Sequence, residues 1–88
     1  GFVAEGPYAV EEGGKIALYW STFSKDGYCV AKSVASEVFG EYAFDRMVFE
    51  RDGGHAMVFT DLAGKRKIVL HQPNSSPDER MKVFDLAP

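Results

Sequence analysis

Glycine placement sets the limits on what this chain can fold into. The motif Glu12-Gly13-Gly14-Lys15 separates Tyr8-Ala9-Val10 from Ile16-Ala17-Leu18-Tyr19-Trp20. Glycine supplies the positive φ that tight hairpins require, so this reads as strand, Gly-Gly turn, strand. Ser24-Lys25-Asp26-Gly27 is a second turn with an Asp-Gly signature, and it leads into Tyr28-Cys29-Val30-Ala31-Lys32-Ser33-Val34. Three consecutive strands joined this way form an antiparallel meander. Ala63-Gly64 should turn another strand pair, His55–Thr60 and Lys67–His71. Nine glycines and four prolines in 88 residues are the punctuation that a hairpin-rich protein needs. The fold class is therefore all-β, with helix nearly absent.

The remaining segments are less regular. A helix over Ser33–Phe39 is conceivable on pattern, but the run is short and Gly40 ends it, so residues 36 to 46 read as a connection. Met47-Val48-Phe49-Glu50 reads as an outer strand, and Arg51-Asp52-Gly53-Gly54 as a turn or bulge. Gln72–Asp78 is a polar loop with two prolines, and Met81–Leu86 is the last strand.

Composition excludes several function classes. The net charge is −3, which does not suit a surface built to neutralise phosphates, so nucleic acid is not an expected partner. The one basic run, Lys65-Arg66-Lys67, follows a turn glycine and reads as a solvated hairpin face. No apolar stretch approaches the roughly 20 residues of a helical membrane span. Cys29 is the only cysteine, so there is no internal disulfide; it lies in an apolar strand run and reads as a buried, inert thiol. Gly1 is not a natural start, so the native N-terminus is expected to be missing, and localisation is unknown.

One internal similarity organises the chain. Gly6-x-Tyr8-x-Val10 followed by Gly14-Lys15-Ile16-x-Leu18 resembles Gly54-x-Ala56-x-Val58 followed by Gly64-Lys65-x-x-Ile68-x-Leu70. The offset is 48 residues at the start and grows along the repeat. A unit near 50 residues, made of strands and hairpins, is the size of a propeller blade. Residues 5–50 form the first blade-like unit and 51–88 the second, within a single β domain.

Two spots could carry chemistry. Glu5 precedes Gly6-Pro7 at the head of a strand, where a propeller would point it into the central funnel; the bland alternative is a solvated glutamate near a chain end. His55 follows Asp52-Gly53-Gly54, and paired glycines let the backbone approach something closely; the bland alternative is a hydrogen-bonded structural histidine. One histidine alone is not a metal site.

An ordered set of segments gives these spots a context. Glu5-Gly6-Pro7-Tyr8, Leu18–Phe23, Asp26-Gly27-Tyr28, Gly53–Phe59, Leu70–Asn74 and Glu79-Arg80-Met81 occur here in an order that resembles family 43 glycoside hydrolases. The resemblance runs from residue 5 to about 86. It implies the C-terminal portion of a five-bladed β-propeller whose members cleave arabinofuranosyl or xylosyl linkages in plant-wall polysaccharide, with inversion. By resemblance Glu5 is the general acid that protonates the leaving oxygen. By resemblance His55 is the axial histidine under the sugar site, which in the full-length parent commonly touches calcium through water. No cofactor follows from this chain's own residues. Trp20 and Tyr19 read as blade core rather than a sugar platform.

The departures matter equally. An inverting glycosidase needs a second carboxylate to activate water. In the family that base comes from earlier blades, and Asp45, Asp52, Asp61 and Asp78 match no catalytic role. The chain alone is therefore expected to be inactive. The rival reading is a stand-alone, non-catalytic β module for carbohydrate binding or assembly. In either case Leu18, Trp20, Val30, Met57, Phe59, Val69 and Phe84 exceed what 88 residues should cover, so self-association through an exposed apolar face is expected.

Overall fold

The structure, a computed structural model, describes residues 3–87; Gly1, read above as a non-native start, lies outside them. Seven strands run in order: β1 (Glu5–Glu12), β2 (Lys15–Ser24), β3 (Gly27–Ala35), β4 (Ala43–Phe49), β5 (Gly54–Thr60), β6 (Arg66–Gln72) and β7 (Arg80–Asp85). Among the described residues there is no helix. The first four strands form one antiparallel sheet and the last three another, each a meander in chain order. The turns at Gly13-Gly14, Asp26-Gly27 and Ala63-Gly64 join adjacent antiparallel strands, as their sequences dictate. Gly13, Gly14, Gly27 and Gly64 all have positive φ, the conformation for which glycine is required.

No helix forms over Ser33–Phe39, in keeping with the expected connection; Ser33 lies in β3, and a single turn follows in which Gly40 N–H donates to the Glu37 carbonyl. The extent of that connection, expected to be residues 36 to 46, needs correction. The fourth strand begins at Ala43, four residues before the Met47 expected. Ala43–Arg46 are exposed on both faces, so the segment lacks the period-2 burial signal of a strand.

The sheets stack face to face. The overall extents are 38 × 37 × 16 Å. The shortest dimension admits just two sheet layers at the usual spacing of about 10 Å. Between them lies the core of Ala17, Tyr19, Val30, Phe49, Ala56, Val58, Ile68 and Leu70, with Tyr8, Val10, Phe84 and Leu86 packed at its margin. Phe49 and Phe84 meet across the layers at 5.1 Å between ring centroids. Alternation follows strand geometry: on β5, Gly54, Ala56 and Val58 are buried while His55, Met57 and Phe59 are exposed.

The internal repeat is real at the level of register, but its offset differs from the sequence pattern. Glu5 opposes Ser21 and Tyr8 opposes Tyr19, with a bulge between. Gly54 opposes His71 and Met57 opposes Val69, with the same bulge. Gly6 and His55 occupy equivalent bulge positions and share left-handed φ values of 58° and 57°. The first strands therefore align Tyr8 with Met57, not with Ala56. The sequence pattern matches Gly6 with Gly54, whereas by register Gly6 corresponds to His55 and Gly54 to Glu5.

Candidate functional site

Glu5 opens β1, and the Tyr28 hydroxyl donates to its Oε2 at 2.6 Å. Tyr28 is almost fully buried at the start of β3. Its ring stacks on His71 at 5.5 Å and tilts against Phe23 at 4.9 Å, so the hydroxyl is held in one place. Burial, followed by the hydrogen bond to Glu5 and its nearby charge, pushes the Tyr28 hydroxyl up to about 12. It therefore remains a donor across the physiological range. His71 is itself anchored, with Nε2 2.9 Å from Asn74 Oδ1.

His55 lies beside this group. A Cβ placed on Gly6 would sit 3.1 Å from the His55 ring, so the imidazole packs directly on the residue that follows Glu5. Glu5 and His55 are thus at the same end of the two sheets. The His55 backbone N–H donates to Ser21 Oγ at 2.8 Å, which fixes the bulge that carries the ring. Left-handed φ in a non-glycine residue is uncommon, and histidine is among the residues that tolerate it best.

The paired glycines before His55 do permit a close approach, and what approaches is the protein. A Cβ on Gly54 would lie 2.6 Å from the Tyr28 ring and 2.9 Å from Ser21 Oγ; one on Gly53 would lie 2.8 Å from the His71 carbonyl oxygen. Asp52 completes the junction. Its Oδ1 accepts from the Tyr28 N–H at 3.0 Å and its Oδ2 from the Asn74 N–H at 3.3 Å, while the Gly53 N–H donates to the Tyr28 carbonyl. Asp52 opens the sequence string that leads to His55, but its tie to Tyr28 and Asn74 is not visible in the sequence, where Asp26-Gly27-Tyr28 marks a turn.

Three of the aspartates that could be considered as partners for Glu5 are engaged elsewhere. Asp52 is committed to two backbone N–H groups. Asp61 Oδ1 caps its turn by accepting from the Ala63 and Lys65 N–H groups. Asp45 faces Arg46 and Lys32. Among the described residues no cluster of three His, Cys, Asp or Glu side chains could hold a metal ion. Calcium takes oxygen ligands, so the His55 imidazole would meet such an ion only through water.

A second polar cluster sits at the opposite ends of the strands. Glu12 Oε1 is 2.7 Å from Lys32 Nζ, and Glu12 Oε2 accepts from Tyr19 OH at 2.6 Å and lies 3.3 Å from Arg66 Nη2. Burial pushes the Glu12 carboxyl up, but Lys32, Tyr19 and Arg66 together outweigh it and hold the group below its ordinary value. Arg66 is therefore not simply part of a solvated basic run; it ties the second sheet to the first. Cys29 is fully buried, its Sγ 3.4 Å from the Thr22 carbonyl, and burial pushes its thiol up, away from a reactive thiolate. Trp20 Nε1 donates to Ser33 Oγ at 3.0 Å on the outer face of the first sheet, and Tyr19 is core.

Two stacked antiparallel meanders with matching bulges at their first strands define a partial β-propeller of about two blades. The solved structure of an endo-arabinase from Bacteroides thetaiotaomicron VPI-5482 matches the whole chain, with a TM-score of 0.88 and 32% identity. The chain spans 33% of that protein's length. No family model matches the sequence, and no curated protein matches it. The fold is therefore that of part of an arabinase-like propeller.

Proposed function

We propose that this chain is the acid-bearing part of a glycosidase that hydrolyses arabinofuranosyl or xylosyl linkages in plant-wall polysaccharide with inversion. The observation that carries the reading is the placement of Glu5: fixed by the buried Tyr28 hydroxyl, beside His55, in a fold like part of an endo-arabinase. Glu5 protonates the departing glycosidic oxygen, which lowers the barrier to C–O cleavage. Tyr28 engages Oε2 and leaves Oε1 to carry the transferred proton. His55 lines the floor beside the acid. No step is assigned to a metal.

Inversion requires a base across the sugar, about 6.5–9.5 Å from the acid, to activate water. Asp45, Asp52 and Asp61 are engaged elsewhere; on this reading the base comes from other blades of a full propeller, and the 88-residue chain alone does not turn over. The engagement of those three aspartates is also what favours the second reading, a non-catalytic β module that binds carbohydrate or mediates assembly.

A chimera tests the proposal. Residues 5–86 replace the matching third of the Bacteroides endo-arabinase, and release of sugar from linear arabinan is measured. The expected result is hydrolysis by the chimera and none by the isolated chain. A folded chimera without activity would sink the catalytic reading and leave the module.

A further inference from the structure

One buried hydroxyl lies beneath both candidate site residues. Ser21 has no exposed surface. On β2 it continues the row of Ala17 and Tyr19, which packs in the core between the sheets. Across the first hairpin it is the register partner of Glu5. Its Oγ accepts the His55 backbone N–H at 2.8 Å. It also stands beside the Tyr28 ring: a Cβ on Gly54 would lie 2.6 Å from that ring and 2.9 Å from Ser21 Oγ. Burial and the Glu5 bond push the Tyr28 hydroxyl up, and a side-chain hydrogen bond from Ser21 offsets part of that.

The donors of this group run in one direction. A serine hydroxyl has one proton and two lone pairs. The His55 N–H occupies a lone pair, which leaves the Ser21 proton for the Tyr28 oxygen. Tyr28 in turn donates its own proton to Glu5 Oε2 at 2.6 Å. The four residues come from β5, β2, β3 and β1, so the chain of bonds crosses the junction between the sheets. Its ends, His55 and Glu5, are exposed, and its middle, Ser21 and Tyr28, is buried. Hydrogen bonds in such a chain polarise and strengthen one another, and a fully satisfied buried network holds its members rigid.

We propose that Ser21 is a positioning residue: its buried hydroxyl couples the His55 bulge to the Tyr28–Glu5 hydrogen bond and so fixes the Glu5 carboxyl relative to His55. Ser21 touches no substrate. The catalytic consequence rests on the reading of Glu5 as the acid; the coupling itself does not. Alanine at position 21 removes the acceptor of the His55 N–H and the donor to the Tyr28 oxygen together. The bond to Glu5 then weakens, and an exposed glutamate regains its rotamer freedom.

NMR of the chain tests the coupling, with circular dichroism and amide protection in β6 as checks of fold. In Ser21→Ala the His55 amide is expected to exchange about 5- to 10-fold faster, the loss of one hydrogen bond. The Glu5 side-chain couplings should move to the averaged values of a free rotor. Tyr28→Phe approaches from the other end and leaves Ser21 in place. It should free Glu5 and also speed His55 exchange by about twofold or more, although Tyr28 makes no bond to that amide. Unchanged Glu5 couplings in a folded Ser21→Ala overturn the proposal, as does unchanged His55 exchange in Tyr28→Phe. In the arabinase chimera, Ser21→Ala should lower kcat on linear arabinan about tenfold with KM little changed, and hydrolysis of an activated aryl arabinofuranoside by less than about twofold. An equal fall on both substrates shows general damage and overturns the positioning role. A Glu5→Gln chimera that keeps its full rate sinks the acid reading instead, and the spectra of the chain then decide whether Ser21 couples Glu5 to His55.

Discussion

Replacing Glu12 with glutamine should loosen the junction between the two sheets far more than a surface charge change would. Lys32 is nearly buried, its side chain 10% exposed, and Glu12 Oε1 is its close counter-charge at 2.7 Å. Asp45 stands farther off, at 4.0 Å. Removing one member of a buried pair leaves the other charge uncompensated, at a cost of about 3–5 kcal/mol. Here Glu12 is a quarter exposed and Asp45 retains some attraction, which reduces the expected loss to about 2–4 kcal/mol. A domain of this length is stable by about 4–13 kcal/mol in total, so the variant should lose a large share of its stability. The corresponding fall in Tm is about 10–25 °C. Urea titration followed by Trp20 fluorescence measures it directly. A double variant, Glu12→Gln with Lys32→Met, should recover part of the loss because no buried charge is stranded. A single-variant loss under about 0.5 kcal/mol, the range of an exposed pair, would refute the reasoning. The same carboxyl makes a pH prediction. Its folded pKa lies below the ordinary value, so its contribution is full above the unfolded value of about 4.3 and disappears as pH falls through the lower folded value. Glu12→Gln should therefore flatten the acid limb of the stability profile.

Three further substitutions probe the end that holds Glu5. Gly54→Ala places a methyl 2.6 Å from the buried Tyr28 ring and should cost about 2 kcal/mol by overpacking, read by denaturant midpoint; a neutral effect would mean the sheets are not this close. Asp52→Ala strands the Tyr28 N–H and should cost about 1–3 kcal/mol, whereas Asp52→Asn keeps an acceptor and tolerates the left-handed φ of 57°, so it should cost less. Tyr28→Phe keeps the ring contacts with His71 and Phe23 but drops the hydroxyl given to Glu5, and should cost about 1 kcal/mol in thermal unfolding; a loss above 3 kcal/mol would mean the ring itself had moved.

The strands of this fold were legible wherever a glycine turn met a period-2 apolar run. β2 and β5 satisfy that condition, β3 and β6 were legible as continuous apolar runs beside a turn glycine, and their hairpins stand where Gly14, Gly27 and Gly64 put them. β4 does not, because its first four residues face solvent and are held by pairing with β3 rather than by burial. Long-range polar partners were out of reach for a different reason. Glu12 and Arg66 are 54 residues apart, and Asp52 is 24 from Tyr28; no local spacing announces either contact. Of the seven apolar side chains judged too many to cover, Val30 is in fact fully buried, whereas Met57 and Phe59 are not. Glu5 and His55 stood out through the glycines beside them. Tyr28, which holds Glu5, was hidden because its partner comes from a different strand and its neighbours spell only a turn.

The measurement that bears most directly on the account is the leaving-group dependence of Glu5→Gln in the arabinase chimera. A general acid matters only when the departing oxygen needs a proton, and such help is worth roughly 10²–10⁴ in rate. Glu5→Gln should lower kcat on linear arabinan by a factor in that range. Hydrolysis of an activated aryl arabinofuranoside, whose phenolate leaves unaided, should fall by less than about tenfold. An equal loss on both substrates would contradict the assignment of Glu5 as the acid.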